Sequence, residues 1–190
     1  VFIDVGCNVN PTLNNDILDD FTQIALSEYP NARCVGVEPI HWQTYEERWG
    51  QSPNVTIIKK ALSNENGIQD FYVPEAHALS SLIDRNVFHT WGEDNIPNKI
   101  KVECITLDSL VNDLSIDFID YLKLDTEGGE MLILEGSKNL LKNKKINYIQ
   151  MEWGCWSDID MSIDEMGKFL SQYNYFNIHQ NSTEILYALK

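Results

Sequence analysis

The sequence predicts an α/β protein in which a mostly parallel sheet carries helices on both faces. Two observations support this class. Strand-like and helix-like segments alternate through most of the 190 residues, and several strand-like segments are short β-branched runs, such as FIDV at 2–5. Such runs are typical of parallel strands buried on both faces, and helices form the crossover connections between them. Because no repeat or Pro/Gly linker divides the chain, we expect one domain over residues 1–190.

The first half of the chain is predicted to contain three strands, at 1–5, 32–39 and 54–62, separated by helices at 11–29 and 41–49. The first helix is indicated by apolar residues that recur at intervals of three and four, which places them on one face. These residues are Leu13, Ile17, Phe21, Ile24 and Ala25. The first predicted strand starts at Val1 itself, so a further segment is expected to be able to precede it.

The middle of the chain departs from this alternation. Extended segments at 68–74 and 99–107 enclose a long stretch, 74–99, with weak periodicity. Long connections of this kind are often functional loops, so 74–99 is predicted to be a lid or a substrate-contacting loop.

The second half resumes the alternation with polar turns between its segments. Helices are predicted at 107–113, 129–143 and 162–173, and strands at 120–125, 146–153, 175–180 and 183–189. The last two strands are close in sequence, so the final one is predicted to pair antiparallel.

Charge restricts the classes of partner. The formal net charge is −15, and the densest basic run is only KNKK at 142–145. A negative field repels nucleic acids and acidic membrane surfaces. No apolar run approaches the roughly 20 residues that span a bilayer. We therefore expect no nucleic-acid partner and no membrane span.

Cysteine usage indicates a reducing compartment. The four cysteines are Cys7, Cys34, Cys104 and Cys155; none form a C-x-x-C pair, and three lie in or beside apolar segments. Buried, unpaired thiols are typical of intracellular proteins, so a cytoplasmic location is predicted.

Candidate site residues follow the predicted strands, because ligands of open α/β sheets bind at the carboxyl ends of the strands. The set contains several acids and glycines and is expected to converge on one cleft. Its members are Asp4, Gly6, Cys7, Asn8 and Asn10; Glu38 and Pro39; Lys60, Ala61 and Leu62; Asp125, Thr126, Glu127, Gly128 and Gly129; and Glu152 and Trp153. Ser81, in the 74–99 stretch, is added as a further candidate contact to the cofactor.

The first loop does not have the glycine pattern of a dinucleotide site. Close approach to a pyrophosphate requires G-x-G-x-x-G, which this loop lacks. S-adenosylmethionine carries no phosphate but has a sulfonium cation, an amino acid group and a ribose. Asp4 suits its ammonium group, Gly6 allows close backbone approach, and Glu38 suits the ribose hydroxyls because an ionised carboxylate only accepts hydrogen bonds.

Several stretches resemble the FkbM family of S-adenosylmethionine-dependent methyltransferases. They are FIDVGCNV, GVEP, KKALSNENG, SSL, ITLDSL and DYLKLDTEGGEMLILEGS, in the order found in the family, and IQMEW resembles its fifth strand. The resemblance runs from Val1 to about Trp153. It implies a Rossmann-like class I methyltransferase fold with seven strands, and O-methylation of a sugar, glycan or other small-molecule hydroxyl.

The opening loop departs from the family where a second glycine is common. This chain has Asn10 there, followed by Pro11. Asn is a favoured helix N-cap and Pro is favoured at the first helical position. The pair can therefore start the helix whose N-terminal amides face the cofactor's carboxylate, although a Cβ at position 10 narrows that space.

Three acids are candidates for the general base that methylation of a hydroxyl requires. They are Asp125, Glu127 and Glu152, of which the first two are preferred because they follow the central strand. A carboxylate pair can instead bind a divalent metal, but no third ligand is evident, so no metal is predicted.

Two interpretations compete with this one. An oxidoreductase that uses a nicotinamide cofactor has a similar sheet, but the missing glycine motif disfavours it. A domain that binds S-adenosylmethionine without turnover remains open, because Asn10 alters the opening loop.

Overall fold

The computed structural model describes residues 1–7, 21–74, 80–84, 97–152 and 163–190. Within them the elements are β1 (Phe2–Val5), α1 (Phe21–Glu28), β2 (Cys34–Val37), α2 (Trp42–Trp49), β3 (Val55–Ile58), β4 (Ala61–Leu62), β5 (Gly67–Val73), β6 (Asn98–Ile105), α3 (Leu107–Asp113), β7 (Ile119–Leu124), α4 (Glu130–Glu135), α5 (Lys138–Lys142), β8 (Ile146–Glu152), α6 (Ile163–Ser171), β9 (Tyr175–Gln180) and β10 (Glu184–Leu189).

The predicted fold class is confirmed. A seven-stranded sheet has the order β3-β2-β1-β7-β8-β10-β9. Its first five strands are parallel, and β10 pairs antiparallel with both β8 and β9. The order reverses between β1 and β7, so the carboxyl ends of these neighbouring strands flank the switch point at which ligands of open sheets bind.

The third predicted strand is divided between two sheets. Its first part is β3, whose pairing ends where the amide of Glu38 donates to the carbonyl of Ile58 at 3.0 Å. Its last part is β4, which joins β5 and β6 in a separate three-stranded sheet of order β4-β6-β5. The prediction of one strand over 54–62 was wrong because a period-two pattern does not reveal a change of partner.

The helix predicted over 129–143 is also two helices. It breaks at Gly136, where a Cβ would lie 2.1 Å from the carbonyl oxygen of Ser63. The second helix, α5, begins with its own cap, because the carboxylate of Asp108 accepts hydrogen bonds from the amides of Asn139 and Leu140, both at 3.0 Å. The close approach of the 63–64 segment explains why the helix cannot continue.

The described part of the first helix packs through small residues. Thr22 and Ala25 are buried, whereas Ile24, predicted to face the core, is 50% exposed. The hydroxyl groups of Thr22 and Tyr45 are hydrogen-bonded in the interior, which orients the helix. The main core lies against the central strands and includes Leu122, Leu124, Ile149 and Met151 among its fully buried members.

Candidate functional site

A cleft lies at the carboxyl ends of β1, β2 and β7, next to the switch in strand order. About 580 Å³ of space lies between its walls, a volume that includes the solvent on its open side. Its lining combines backbone, apolar side chains and acids. The lining residues are Val5, Gly6, Val37, Glu38, Pro39, His41, Lys60, Ala61, Leu62, Phe71, Ser80, Leu82, Asp125, Thr126, Glu127 and Gly129.

Glu38 is buried at the end of β2, and its position is set by the following loop. One carboxylate oxygen, Oε1, accepts hydrogen bonds from the amides of Ile40 at 2.9 Å and His41 at 3.0 Å. Because both of these bonds go to Oε1, the second oxygen, Oε2, retains acceptor capacity for a ligand hydroxyl.

Gly6 is required by the packing of two strand ends. Its φ is +80°, and a Cβ at this position would lie 1.8 Å from the carbonyl oxygen of Asp125. Its amide donates to the carbonyl of Val37 at 2.9 Å. The glycine therefore brings the ends of β1, β2 and β7 together.

The loop after β7 is held in an uncommon backbone conformation. Glu127 has φ +57° and Gly128 has φ +97°, and a non-glycine residue in this left-handed region carries strain. The buried Glu130 stabilises the turn, because its Oε1 accepts from the amide of Thr126 at 2.9 Å and from the hydroxyl of the same residue at 3.0 Å. Glu130 thus has the structural role expected of an acid in the first turn of a helix.

Asp125, which follows β7, and Glu152, the last residue of β8, form a carboxyl pair. Burial, together with the hydrogen bond to Asp125 and its charge, raises the pKa of Glu152 from its ordinary value of 4.5 to about 8. Burial also acts to raise the pKa of Asp125, but Lys123 and the hydrogen bond from Glu152 hold it below its ordinary value. At neutral pH the pair therefore holds one proton, mainly on Glu152.

Glu127 joins this pair to make a group of three acids. One carboxylate oxygen from each of Asp125, Glu127 and Glu152 lies within 4.8 Å of the others, a spacing at which a cation can be held. The sequence did not reveal a third ligand, because loop and strand end meet only in the fold. Acidic side chains often gather in this way without a metal, and two of these three share a proton.

Lys123 is a site residue that sequence reasoning missed. Its ammonium lies 2.8 Å from Oδ2 of Asp125 and 3.7 Å from Oδ1 of Asp4. The signal was present in the sequence: the central strand IDYLKL has polar or amphipathic side chains at alternate positions, where a strand buried on both faces is normally apolar.

A row of hydrogen bonds crosses the same face of the sheet. The hydroxyl of Tyr121 donates to Oε1 of Gln150 at 2.6 Å, and Nε2 of Gln150 donates to Oε1 of Glu184 at 2.6 Å. Gln150 is in register with Lys123 on β7, and Glu184 is in register with Glu152 on β8. The row thus lies beside the carboxyl pair.

The remaining predicted site residues take different places. Asp4 and Cys7 are buried beside the cleft, and burial, with the charges of Asp4 and Glu38, raises the pKa of the Cys7 thiol. The hydroxyl of Ser81 donates to the carbonyl of Thr126 at 3.2 Å, and it is Ser80 that lines the cleft. Other predictions fall outside the described residues: those on Asn8, Asn10 and Trp153, and most of the 74–99 lid.

The fold is that of a Rossmann-like α/β protein, with a cleft at the switch point of its sheet. The sequence model of the methyltransferase FkbM domain matches residues 9–176, and the chain belongs to this family of methyltransferases. Among curated proteins, no relative of significant similarity was found.

A solved structure supports the fold. The crystal structure of methyltransferase FkbM from Methylobacillus flagellatus KT at 2.20 Å resolution superposes with a TM-score of 0.57 over 98% of this chain, at 15% sequence identity. The match spans 42% of that protein's length. No described helix is long and apolar enough to cross a membrane.

Proposed function

We propose that this protein is an S-adenosylmethionine-dependent O-methyltransferase that acts on a hydroxyl group of a sugar, glycan or other small molecule. The observation that carries the proposal is the carboxyl pair of Asp125 and Glu152, of which Asp125 lines the cleft that also contains Gly6 and Glu38. Family membership supports methyl transfer, and a proton-accepting pair is what a hydroxyl acceptor requires.

The residues of the cleft fit S-adenosylmethionine. Glu38 is anchored by two backbone amides and retains acceptor capacity for the ribose hydroxyls. Phe71, Leu62 and Leu82 supply apolar surface for the adenine. The acids around Asp4 suit the sulfonium and ammonium groups of this ligand. Because the ligand has no phosphate, it does not need the glycine-rich loop of a dinucleotide site.

Glu152 is the favoured base within the pair. S-adenosylmethionine supplies an electrophilic methyl group, so that the carbon–sulfur bond breaks as the carbon–oxygen bond to the acceptor forms. Glu152, when ionised, accepts the proton of the acceptor hydroxyl, and a pKa of about 8 makes it a stronger base than an ordinary carboxylate. Asp125 is a weaker base because Lys123 stabilises its ionised form.

Asp125 and Glu127 have supporting roles in this mechanism. The charge of Asp125 and its hydrogen bond keep the pKa of Glu152 high, and the charge of Glu127 adds to the effect. The sequence alone preferred Asp125 or Glu127 as the base. The preference shifts because a base must have a pKa near the working pH: burial and Asp125 raise the pKa of Glu152 toward it, whereas Lys123 holds that of Asp125 low.

Calorimetry and a turnover assay test the proposal. We expect S-adenosylmethionine to bind and NAD not to bind, and an acceptor panel of sugars to release S-adenosylhomocysteine. Glu152→Gln is expected to reduce turnover by about 100-fold to 10,000-fold while cofactor affinity is retained. The matched control is Glu28→Gln, the same change at an exposed position at the end of α1. Binding of NAD alone would refute the proposal, and cofactor binding without turnover on any acceptor would favour a non-catalytic module.

A further inference from the structure

Lys123 is a largely buried cation among the acids of the site. Its side chain is 18% exposed, and the carboxylates of Asp125 and Asp4 lie 2.8 Å and 3.7 Å from its ammonium. Asp4 is itself buried and precedes the cofactor loop, whereas Asp125 belongs to the proposed reaction centre. One ammonium therefore touches both halves of the site.

The sheet dictates this position. In the parallel pairing of β1 and β7, Asp4 is in register with Lys123. Side chains two residues apart point to the same face of a strand, so Lys123 and Asp125 share a face. Because β1 and β7 are the strands between which the order reverses, the ammonium lies at the switch point itself.

The largely desolvated ammonium of Lys123 needs negatively charged partners. An ammonium taken out of water is costly unless it is paired, and breaking such a pair leaves an uncompensated buried charge. Burial alone acts to lower the pKa of Lys123, but the charges of Asp4 and Asp125 more than offset this and raise it. The side chain is therefore a permanent cation at any working pH.

We propose that Lys123 is a positioning residue: its ammonium joins Asp4 to Asp125, so that the cofactor side and the acceptor side of the site are held by one cation. For its role in methyl transfer, the inference rests on the proposed function. By holding Asp125 ionised and in place, Lys123 leaves the proton of the carboxyl pair on Glu152, the acid that accepts and releases it.

The surroundings of Lys123 determine what its loss would do. Lys123 interacts electrostatically with titratable groups on its own strand, β7, and on both neighbouring strands. They are Asp4 and Cys7 at the end of β1, Tyr121 and Asp125 on or just after β7, and Glu152 at the end of β8. All of them are anionic when ionised. Without the ammonium, Asp125 and Glu152 would bind their shared proton more tightly, because no nearby positive charge would offset their repulsion.

The test measures the proton of the pair directly, by infrared spectroscopy of the protonated carboxyl band across a pH titration of the whole chain. In the wild type we expect a component with a midpoint of about 8 that is absent from Glu152→Gln. This difference separates it from Glu130, whose pKa burial also raises. Lys123→Met is expected to raise the midpoint by about one to three pH units. Lys123→Arg retains the positive charge, so its midpoint is expected to lie close to that of the wild type.

The control is Lys101→Met, the same substitution at an exposed ion pair with Asp70 on the three-stranded sheet. It is expected to leave the midpoint unchanged. Circular dichroism and thermal unfolding establish that each variant folds. If Lys123→Met does not fold, Asp4→Asn decides: it removes one of the negative charges of the bridge and is expected to lower the midpoint. An unchanged midpoint in a folded Lys123→Met, or in Asp4→Asn where that variant decides, would overturn the proposal.

Turnover provides the second readout. If the protein methylates a hydroxyl, Lys123→Met is expected to lower kcat and to shift the pH–rate profile to higher pH in parallel with the infrared midpoint, whereas a merely structural lysine would leave the profile in place. If no methyl transfer is found with any acceptor, the proposed function fails while the infrared titration still decides whether Lys123 controls the proton.

Discussion

The backbone of Gly6 meets the carbonyl oxygen of Asp125 so closely that a Cβ on residue 6 would lie 1.8 Å from it. This contact joins the end of β1 to the end of β7, its neighbour in the sheet. It also brings the turn after β1 next to the loop that begins at Asp125. The same glycine has a φ of +80°, so both sterics and backbone conformation exclude a side chain.

Gly6→Ala is expected to destabilise the protein by about 2–5 kcal/mol, because the left-handed backbone and the clash with Asp125 add together. Chemical denaturation measures the loss. The matched control is Gly67→Ala, which has a φ of +139° but nothing within 4 Å of the added Cβ. It is expected to cost only the conformational part, about 1–3 kcal/mol. Equal losses in the two variants would contradict the contact.

Glu38 is expected to have two separable roles. Glu38→Ala removes the carboxylate that holds the amides of Ile40 and His41, so we expect a loss of about 0.5–2 kcal/mol in stability. It should also weaken S-adenosylmethionine binding by about 10-fold to 100-fold, since hydrogen bonds to a charged group are lost. Calorimetry and denaturation measure the two effects.

Asp108→Ala is the control for this variant. Asp108 accepts from two successive amides at the start of α5, as Glu38 does before α2, but it lies outside the cleft lining. We expect a similar loss of stability with unchanged cofactor affinity. A loss of affinity equal to that of Glu38→Ala would show that the effect on binding is a consequence of stability alone.

The pH dependence of turnover should follow Glu152. In the proposed mechanism the ionised form of Glu152 is the base, so kcat/KM is expected to rise with pH and to level off above about 8. Substrate panels measured between pH 6 and 10 test this. A profile that levels off below pH 6 would contradict Glu152 as the base and return the role to Asp125.

The contribution of Glu152 to the free energy of unfolding should fall as the pH rises, whereas kcat/KM should increase. Folding raises the pKa of this acid from 4.5 to about 8, so the folded state holds a proton that the unfolded chain releases in this range. The contribution of Glu152 to the free energy of unfolding is complete below about pH 4.5 and is lost as the pH rises to 8. Glu152→Gln is expected to flatten this part of the stability curve, which denaturation at several pH values measures.

Three thiols are expected to resist alkylation in the folded protein. Cys7, Cys34 and Cys104 are buried, and burial raises the pKa of Cys104 from 9.0 to about 11 and that of Cys7 well above its ordinary value. The thiolate is the reactive form, so little is present at pH 8. Mass spectrometry after a timed iodoacetamide pulse should find these residues modified only when denaturant is added. Rapid modification of Cys7 in the native protein would contradict the buried position.

Much of the fold and part of the candidate site were predictable from local pattern. Short β-branched runs alternating with amphipathic segments predicted the parallel sheet, and the acids after its strands predicted that Asp4, Glu38 and Asp125 lie at one edge. The predicted bounds of helices and strands were wrong where a tertiary contact, and not the local sequence pattern, ends the element. The helix breaks at Gly136 because Ser63 packs against it, and the strand at 54–62 divides because its last residues pair with β6.

The sequence by itself determined the class of fold, the edge of the sheet that carries the acids, and membership of a methyltransferase family, because these depend on periodicity and on motifs continuous in the chain. Only the tertiary structure decided how the acids differ. Lys123 lies beside Asp125, while Glu152 is partly buried against that carboxylate, so the pKa values of Asp125 and Glu152 move in opposite directions. Such differences arise from burial and from neighbours distant in sequence, and β1, β7 and β8 supply those neighbours only once they pair.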